Sequence, residues 1–225
     1  MEITTLPFNE TTSNYVDELD PENNPENQDS NPEPQKSDFW PLIPKLISLP
    51  PIFHSLESDG PFQECLLCKK SLASVASTYM VERIFRGTEP IVEYAICTDC
   101  QHKNSDELSD SSRQAMMELF GSIDQEARLQ QLRERLEDGK EDAWIDTCVL
   151  TGKPRSECKG FHVIAKCTGF DLELGFMPFM LSDDAIKQIT ALMSAQTRKQ
   201  MDDFMDNFSM PPEFAEDPDL VPLFL

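Results

Sequence analysis

Two pairs of cysteines constrain this chain more than any other feature: Cys65-Leu66-Leu67-Cys68 and, after 28 intervening residues, Cys97-Thr98-Asp99-Cys100. A CxxC turn lets two sulfurs face one point while nearby backbone N–H groups fix their orientation. Two such turns offer four thiolates, the closed tetrahedral donor set that structural zinc takes, with each sulfur at ~2.3 Å. Cys65, Cys68, Cys97 and Cys100 are therefore the expected metal ligands, and Zn2+ the expected cofactor. Buried free thiols, a disulfide and a redox dithiol are the competing readings. The opening Met1-Glu2-Ile3-Thr4-Thr5-Leu6-Pro7 has neither a basic stretch nor an apolar run. That start points to a reducing, cytoplasmic setting rather than export. Neither CxxC lies between a parallel strand and a helix, which argues against a thioredoxin-like dithiol. His102, two residues past Cys100, could stand in as a ligand, but it reads more simply as a polar residue on the way into a helix.

Between the pairs, Tyr79-Met80-Val81-Glu82-Arg83-Ile84-Phe85 and Ile91-Val92-Glu93-Tyr94-Ala95-Ile96 are rich in β-branched and aromatic residues, with Gly87-Thr88-Glu89-Pro90 as the turn. This is a hairpin pattern. A helical pattern follows from Leu108 to Phe120. Ser109 or Asp110 would cap it, Ala115, Met116, Leu119 and Phe120 would be its buried face, and Gly121 its end. Knuckle, hairpin, second pair and helix in that order resemble the treble-clef and zinc-ribbon group of zinc fingers over residues 62–121. The resemblance is at the level of fold.

The net charge is −22, and it is unevenly placed. Residues 1–38 hold ten acids and one base, and residues 202–225 hold seven acids and none. The first stretch has too few apolar residues to offset the entropy of ordering, so 1–38 reads as a disordered acidic tail. From Phe39 the composition turns apolar, through Trp40, Leu42, Ile43, Leu46, Ile47, Leu49, Ile52, Phe53 and Leu56. Prolines interrupt this run, so it is no membrane span. It reads as a Pro-broken segment with one short helix across a zinc-binding module of residues 39–121, or as a docking motif. Residues 122–141 read as a connecting helix, with a Ser122/Gln125 capping box, Leu129, Leu132 and Leu136 on one face, Arg128 among the solvated charges, and Gly139 as its stop.

Residues 142–209 read as a worn second copy of the module. Cys148-Val149-Leu150-Thr151 lines up with Cys65-Leu66-Leu67-Cys68, Gly169 falls opposite Gly87, and Met193-Ser194-Ala195-Gln196-Thr197 matches Leu108-Ser109-Asp110-Ser111-Ser112. The offsets drift from 83 to 82 to 85 residues, which requires gaps. In this alignment Thr151 replaces Cys68, and Phe179 and Ser182 replace Cys97 and Cys100. The copy would be metal-free, with Trp144, Ile145, Phe176, Phe179 and Met180 among its apolar filling. A site of Cys148, Cys158, His162 and Cys167 has no spacing rationale. Helices from Asp183 to Met193 and from Ser194 onward follow. The tail 210–225 ends in Val221-Pro222-Leu223-Phe224-Leu225, which either folds back on a groove or waits for a partner.

The fold class expected is thus α+β: two small related knuckle, hairpin and helix modules, the second degenerate, joined by a helix. Phosphate loops, nucleophile elbows and HExxH motifs are absent from the sequence, so no catalytic residue is assigned. Lys69, Lys70, Arg83 and Arg86 form the one basic cluster, and Glu82, Glu89 and Glu93 interrupt it, which disfavours nucleic acid as a partner. The expected function is a non-enzymatic scaffold or adaptor for a protein partner, with no membrane association. A thiol-based redox or metal-handling protein is the alternative, and a nucleic-acid-binding finger ranks below it.

Overall fold

Nearly every residue of Thr78–Arg86 (β2) is β-branched, aromatic or long-chained, and a strand of that composition is stable only with both faces covered. In the computed structural model, which describes residues 45–137, 141–208 and 222–223, β2 is accordingly buried from Tyr79 to Phe85. The expectations for 1–38, for 39–44, for Gly139 and for most of 210–225 lie outside the described residues. β2 pairs antiparallel with Glu89–Cys97 (β3) on one side, around Gly87 in the left-handed region at φ +58°. On the other side it pairs with Gly160–Thr168 (β4) along its whole length, Thr78 opposite Thr168 and Arg86 opposite Gly160. Asp171–Leu174 (β5) continues the sheet from the end of β4, and Phe179–Ser182 (β6) pairs with the start of β4. Among the described residues this is one mixed α+β unit built on an antiparallel sheet, with strands drawn from both halves of the sequence.

The edge beyond β5 departs from expectation. Lys45–Ser48 (β1) is a strand, not a helix, and pairs Ile47 with Leu172. Pro44, Pro50 and Pro51 leave too few residues for helical hydrogen bonds between them, whereas an edge strand tolerates flanking proline. A 3-10 turn at Pro51–Phe53 then drops Phe53 into the core at 1% exposure.

Among the described residues three α-helices lie between β3 and β4 and two follow β6. Thr98–Glu107 (α1) begins directly after Cys97 and was not expected, because its sequence has no apolar period; Cys100 is its single buried residue. Asp110–Gly121 (α2) is capped by Ser109, whose Oγ accepts from the Ser112 N–H, as one of the two readings required. Gln125–Glu137 (α3) is capped by Asp124 instead of Ser122, whose hydroxyl closes the end of α2 on the Leu119 carbonyl. Arg128 on α3 is no solvated charge: it donates to the carbonyls of Trp144 and Pro178, 3.3 and 3.0 Å away. Asp183–Leu192 (α4) and Ala195–Met205 (α5) lie where the sequence placed them, capped by Ser182 and Ser194.

The starts of α2 and α5 meet and cap each other. The Ser109 N–H donates to Thr197 Oγ1 at 3.2 Å, the Ser194 N–H donates to Ser112 Oγ at 2.9 Å, and the two cap hydroxyls lie 2.9 Å apart. In an isolated helix a Glu or Gln at the third position reaches back to its own cap N–H. Here the third-position hydroxyl of each helix serves the other helix, and both hydroxyls are essentially fully buried. Ser112→Ala and Thr197→Ala should each cost about 1–3 kcal/mol, since each strands a backbone donor of the partner helix. The double variant should cost less than the sum, because one network is lost in either case. Thermal melts of the three variants check this, and strict additivity would contradict it.

Candidate metal centre

The first knuckle is set by the backbone. Cys65 N–H donates to the Lys70 carbonyl at 2.9 Å and Lys69 N–H to the Cys65 carbonyl at 3.0 Å, with Lys69 itself left-handed at φ +59°. Leu66 N–H donates to the Ala95 carbonyl at 2.8 Å, which fastens this turn to β3. The second pair straddles a strand-to-helix junction: Cys97 ends β3 and stands at the N-cap of α1, and Cys100 lies in its first turn. A helix N-terminus presents free N–H groups and a positive dipole end, both of which favour thiolate.

These elements bring together the four sulfurs singled out in the sequence. Their atoms all lie within 4.8 Å of one another. Four sulfurs at ~2.3 Å from a common centre in a tetrahedron would be about 3.8 Å apart, and Cys68 Sγ lies 3.7 Å from Cys97 Sγ. That separation is far beyond a disulfide bond, and all seven cysteines are free thiols. Cys65, Cys97 and Cys100 are buried, and Cys68 is exposed. Burial opposes ionisation of Cys65, but the backbone N–H groups of Cys68, Cys97 and Leu67 outweigh it and bring the thiol down to about 7. The Cys97 and Cys100 thiols are pushed up, first by burial and then by neighbouring sulfurs. One thiolate is therefore supported by the protein alone, whereas four could coexist here only around a cation. The arrangement is compatible with metal binding, and among the described residues it is the one group of three or more His, Cys, Asp or Glu so placed. His102 is exposed on α1 and takes no part in it.

The same backbone pattern recurs at Cys148 without the sulfurs. Cys148 N–H donates to the Lys153 carbonyl at 2.8 Å, Gly152 N–H to the Cys148 carbonyl at 2.9 Å, and Val149 N–H to the Met180 carbonyl of β6 at 2.9 Å. Gly152 is left-handed at φ +69°, as Lys69 is in the first knuckle. Thr151 Oγ1 lies 3.2 Å from Ser182 Oγ, and the Thr151 N–H reaches Cys148 Sγ at 3.4 Å. Burial raises the Cys148 thiol, but donors from Ser182 and Thr151 prevail and lower it. Lys153 bonds Asp184 at 2.8 Å, much as Lys70 bonds Asp99 at 3.3 Å.

Aligned on the starts of α1 and α4, Ser182 would stand opposite Cys97 and Ala185 opposite Cys100, in place of Phe179 and Ser182, although Ser182 makes a side-chain cap hydrogen bond and Cys97 does not. Between its turn glycine and its helix the second half has three more residues than the first, and its returning strand is broken into β5 and β6 where β3 is continuous. Cys158 donates weakly to the Pro154 carbonyl, and His162 bonds Glu82, so Cys148, Cys158, His162 and Cys167 are not gathered into a site. Arg83, counted in the basic cluster, is 4% exposed and donates to the Ile52 carbonyl at 2.8 Å, with Glu93 3.4 Å from its Nε.

The sequence reading missed a buried polar network on the opposite face of β2. Glu82 accepts from Tyr94 Oη, lies 2.7 Å from His162 Nδ1, and takes the Leu223 N–H at 3.2 and 3.0 Å. Burial, and then Glu82, raises the Tyr94 hydroxyl well above its ordinary range. The available signal was a glutamate between Val81 and Ile84 in a strand otherwise too apolar to face water.

If the cluster binds metal, Cys97→Ser removes a buried ligand at the strand-to-helix junction, whereas Cys148→Ala removes a thiol from a site built of hydroxyls. The first should abolish metal binding and unfold the region around residues 62–107, since a structural zinc site supplies on the order of 10–16 kcal/mol. The second should leave metal content unchanged. Elemental analysis with a melting curve for each checks both, and full metal in Cys97→Ser would refute the assignment. Acidification should release the ion, since each ligand sulfur then takes up a proton.

No family model, curated protein or solved structure matches the chain, so its function has to be read from the four-sulfur cluster and the surfaces around it.

Proposed function

We propose that the chain is a non-enzymatic scaffold or adaptor for a protein partner, stapled by one structural zinc ion on Cys65, Cys68, Cys97 and Cys100. The observation that carries this is the closed donor set: four sulfurs within 4.8 Å, three of them buried. A closed tetrahedron leaves no position for substrate or water, unlike a catalytic zinc site. No helix among the described residues is long and apolar enough to cross a membrane. The thiol-based, metal-handling alternative is favoured by one fact, the exposure of Cys68, which would let an incoming ligand replace it. Rapid exchange of the bound ion with a chelator would favour that alternative, and slow exchange the structural role.

The two halves are, on this proposal, copies of one knuckle, hairpin and helix module, the second having exchanged its metal for hydroxyls. The recurring knuckle hydrogen bonds, the matched helix caps and the reciprocal pairing of Ser109 with Ser194 support it. Thr151, Ser182 and Ala185 then mark the three lost ligands, with Cys148 as the survivor. The wild-type chain should bind one zinc ion, and the variant Thr151→Cys, Ser182→Cys, Ala185→Cys should bind two. A second ion absent from the folded triple variant would argue against a common module, and two ions in the wild type would show that the second half is no relic. Turnover of any substrate by pure protein, abolished by a point substitution that leaves the fold intact, would overturn the scaffold reading.

A further inference from the structure

A carboxylate in the middle of a central strand is strongly unfavourable unless donors surround it. Glu82 is 3% exposed, and two of its donors, Tyr94 and His162, stand on the adjacent strands β3 and β4. Those two donors belong to the sheet itself. The remaining donor is a backbone N–H from far along the chain, that of Leu223, which reaches both carboxylate oxygens. The Leu223 side chain is 3% exposed and lines, with Leu108, Met116, Ile189, Met193, Thr197 and Met201, a small cavity of about 20 Å³, the space left in an otherwise filled slot. Leu108 and Met193 each precede a helix cap, and Met116 and Met201 each follow one by seven residues. The slot therefore has two closely matched walls, and Glu82 sets a main-chain acceptor beside it.

We propose that this slot is a peptide-recognition site that the chain's own C-terminal segment occupies in cis, and that its external ligand is a partner's extended apolar segment of the same kind. The features are those of a site that reads backbone. A fixed acceptor takes a main-chain N–H from any residue but proline, and an apolar pocket selects the side chain beside it. Methionine walls adapt to differing aliphatic shapes, which a close-packed leucine core would not. The inference rests on the adaptor reading only for the source of the external segment.

The test uses the full chain with Leu223→Asp, which places a charge in the apolar slot, and a fluorescent peptide of residues 217–225. The peptide should bind this variant one to one. It should bind the wild-type chain at least about tenfold more weakly, because a tethered segment competes at an effective concentration on the order of millimolar. Adding Glu82→Gln should weaken the peptide about tenfold through loss of the charged acceptor. In the wild-type chain the Leu223 amide should exchange with solvent more slowly than in the free peptide. A folded, zinc-loaded Leu223→Asp chain that ignores the peptide would overturn the proposal, as would free-peptide exchange at Leu223. If Leu223→Asp does not fold, Leu223 is ordinary core and the proposal falls. None of these outcomes touches zinc content or turnover, so the slot and the adaptor reading fail separately.

Discussion

Four thiols gathered within 4.8 Å are the constraint on which the first half of this molecule depends. Left as thiols, three of them take up core volume with weak hydrogen bonds, and the Cys100 thiol is held protonated by its surroundings. Ionised together without a cation, they would repel one another in a poorly solvated pocket. A bound dication would remove both difficulties and would link the 65–70 turn, the end of β3 and the start of α1. Helix α1 buries only Cys100, so on the proposed reading metal coordination takes the place of an apolar face.

The second half meets the same geometric problem with different chemistry. Its knuckle is closed by the same backbone hydrogen bonds, while the interior of the turn is held by Cys148, Thr151 and Ser182 acting on one another. Hydroxyl hydrogen bonds are individually weaker than metal–thiolate bonds, and apolar burial accompanies them. Phe179, Met180, Leu181, Ile186 and Ile189 are each 1% exposed or less around this point. Apolar packing against β4 does there what an ion would do beside β2.

β2 carries charge on both faces and is still buried. On one face Arg83 donates to the Ile52 carbonyl and is ion-paired with Glu93, whose other oxygen accepts from Ser55 and Leu56 and so pins the segment after the 3-10 turn. On the other face Glu82 gathers Tyr94, His162 and the Leu223 N–H. A one-residue slip of β2 would exchange these faces and leave both charges without partners. The register of the central strand is thus specified more sharply than an apolar strand could specify it, and the same charges draw the 3-10 turn and residue 223 onto opposite sides of the sheet.

The sequence by itself determined what depends on local chemistry. The four cysteine positions follow from CxxC geometry, the hairpin from β-branched runs around Gly87, and the starts of α2, α4 and α5 from a hydroxyl before an amphipathic stretch. Tertiary structure decided what depends on residues distant in the chain. The helical state of 98–107 has no periodic signal, and its one buried residue is Cys100, which lies in the sulfur cluster. The strand at 45–48 exists because β5 offers it a partner edge. The environment of Glu82 is assembled from residues 12, 80 and 141 positions away. A glutamate in a strand carries no mark of its future donors, because hydrogen bonds across a sheet are set by register and chain return, and neither is written in the residues nearby.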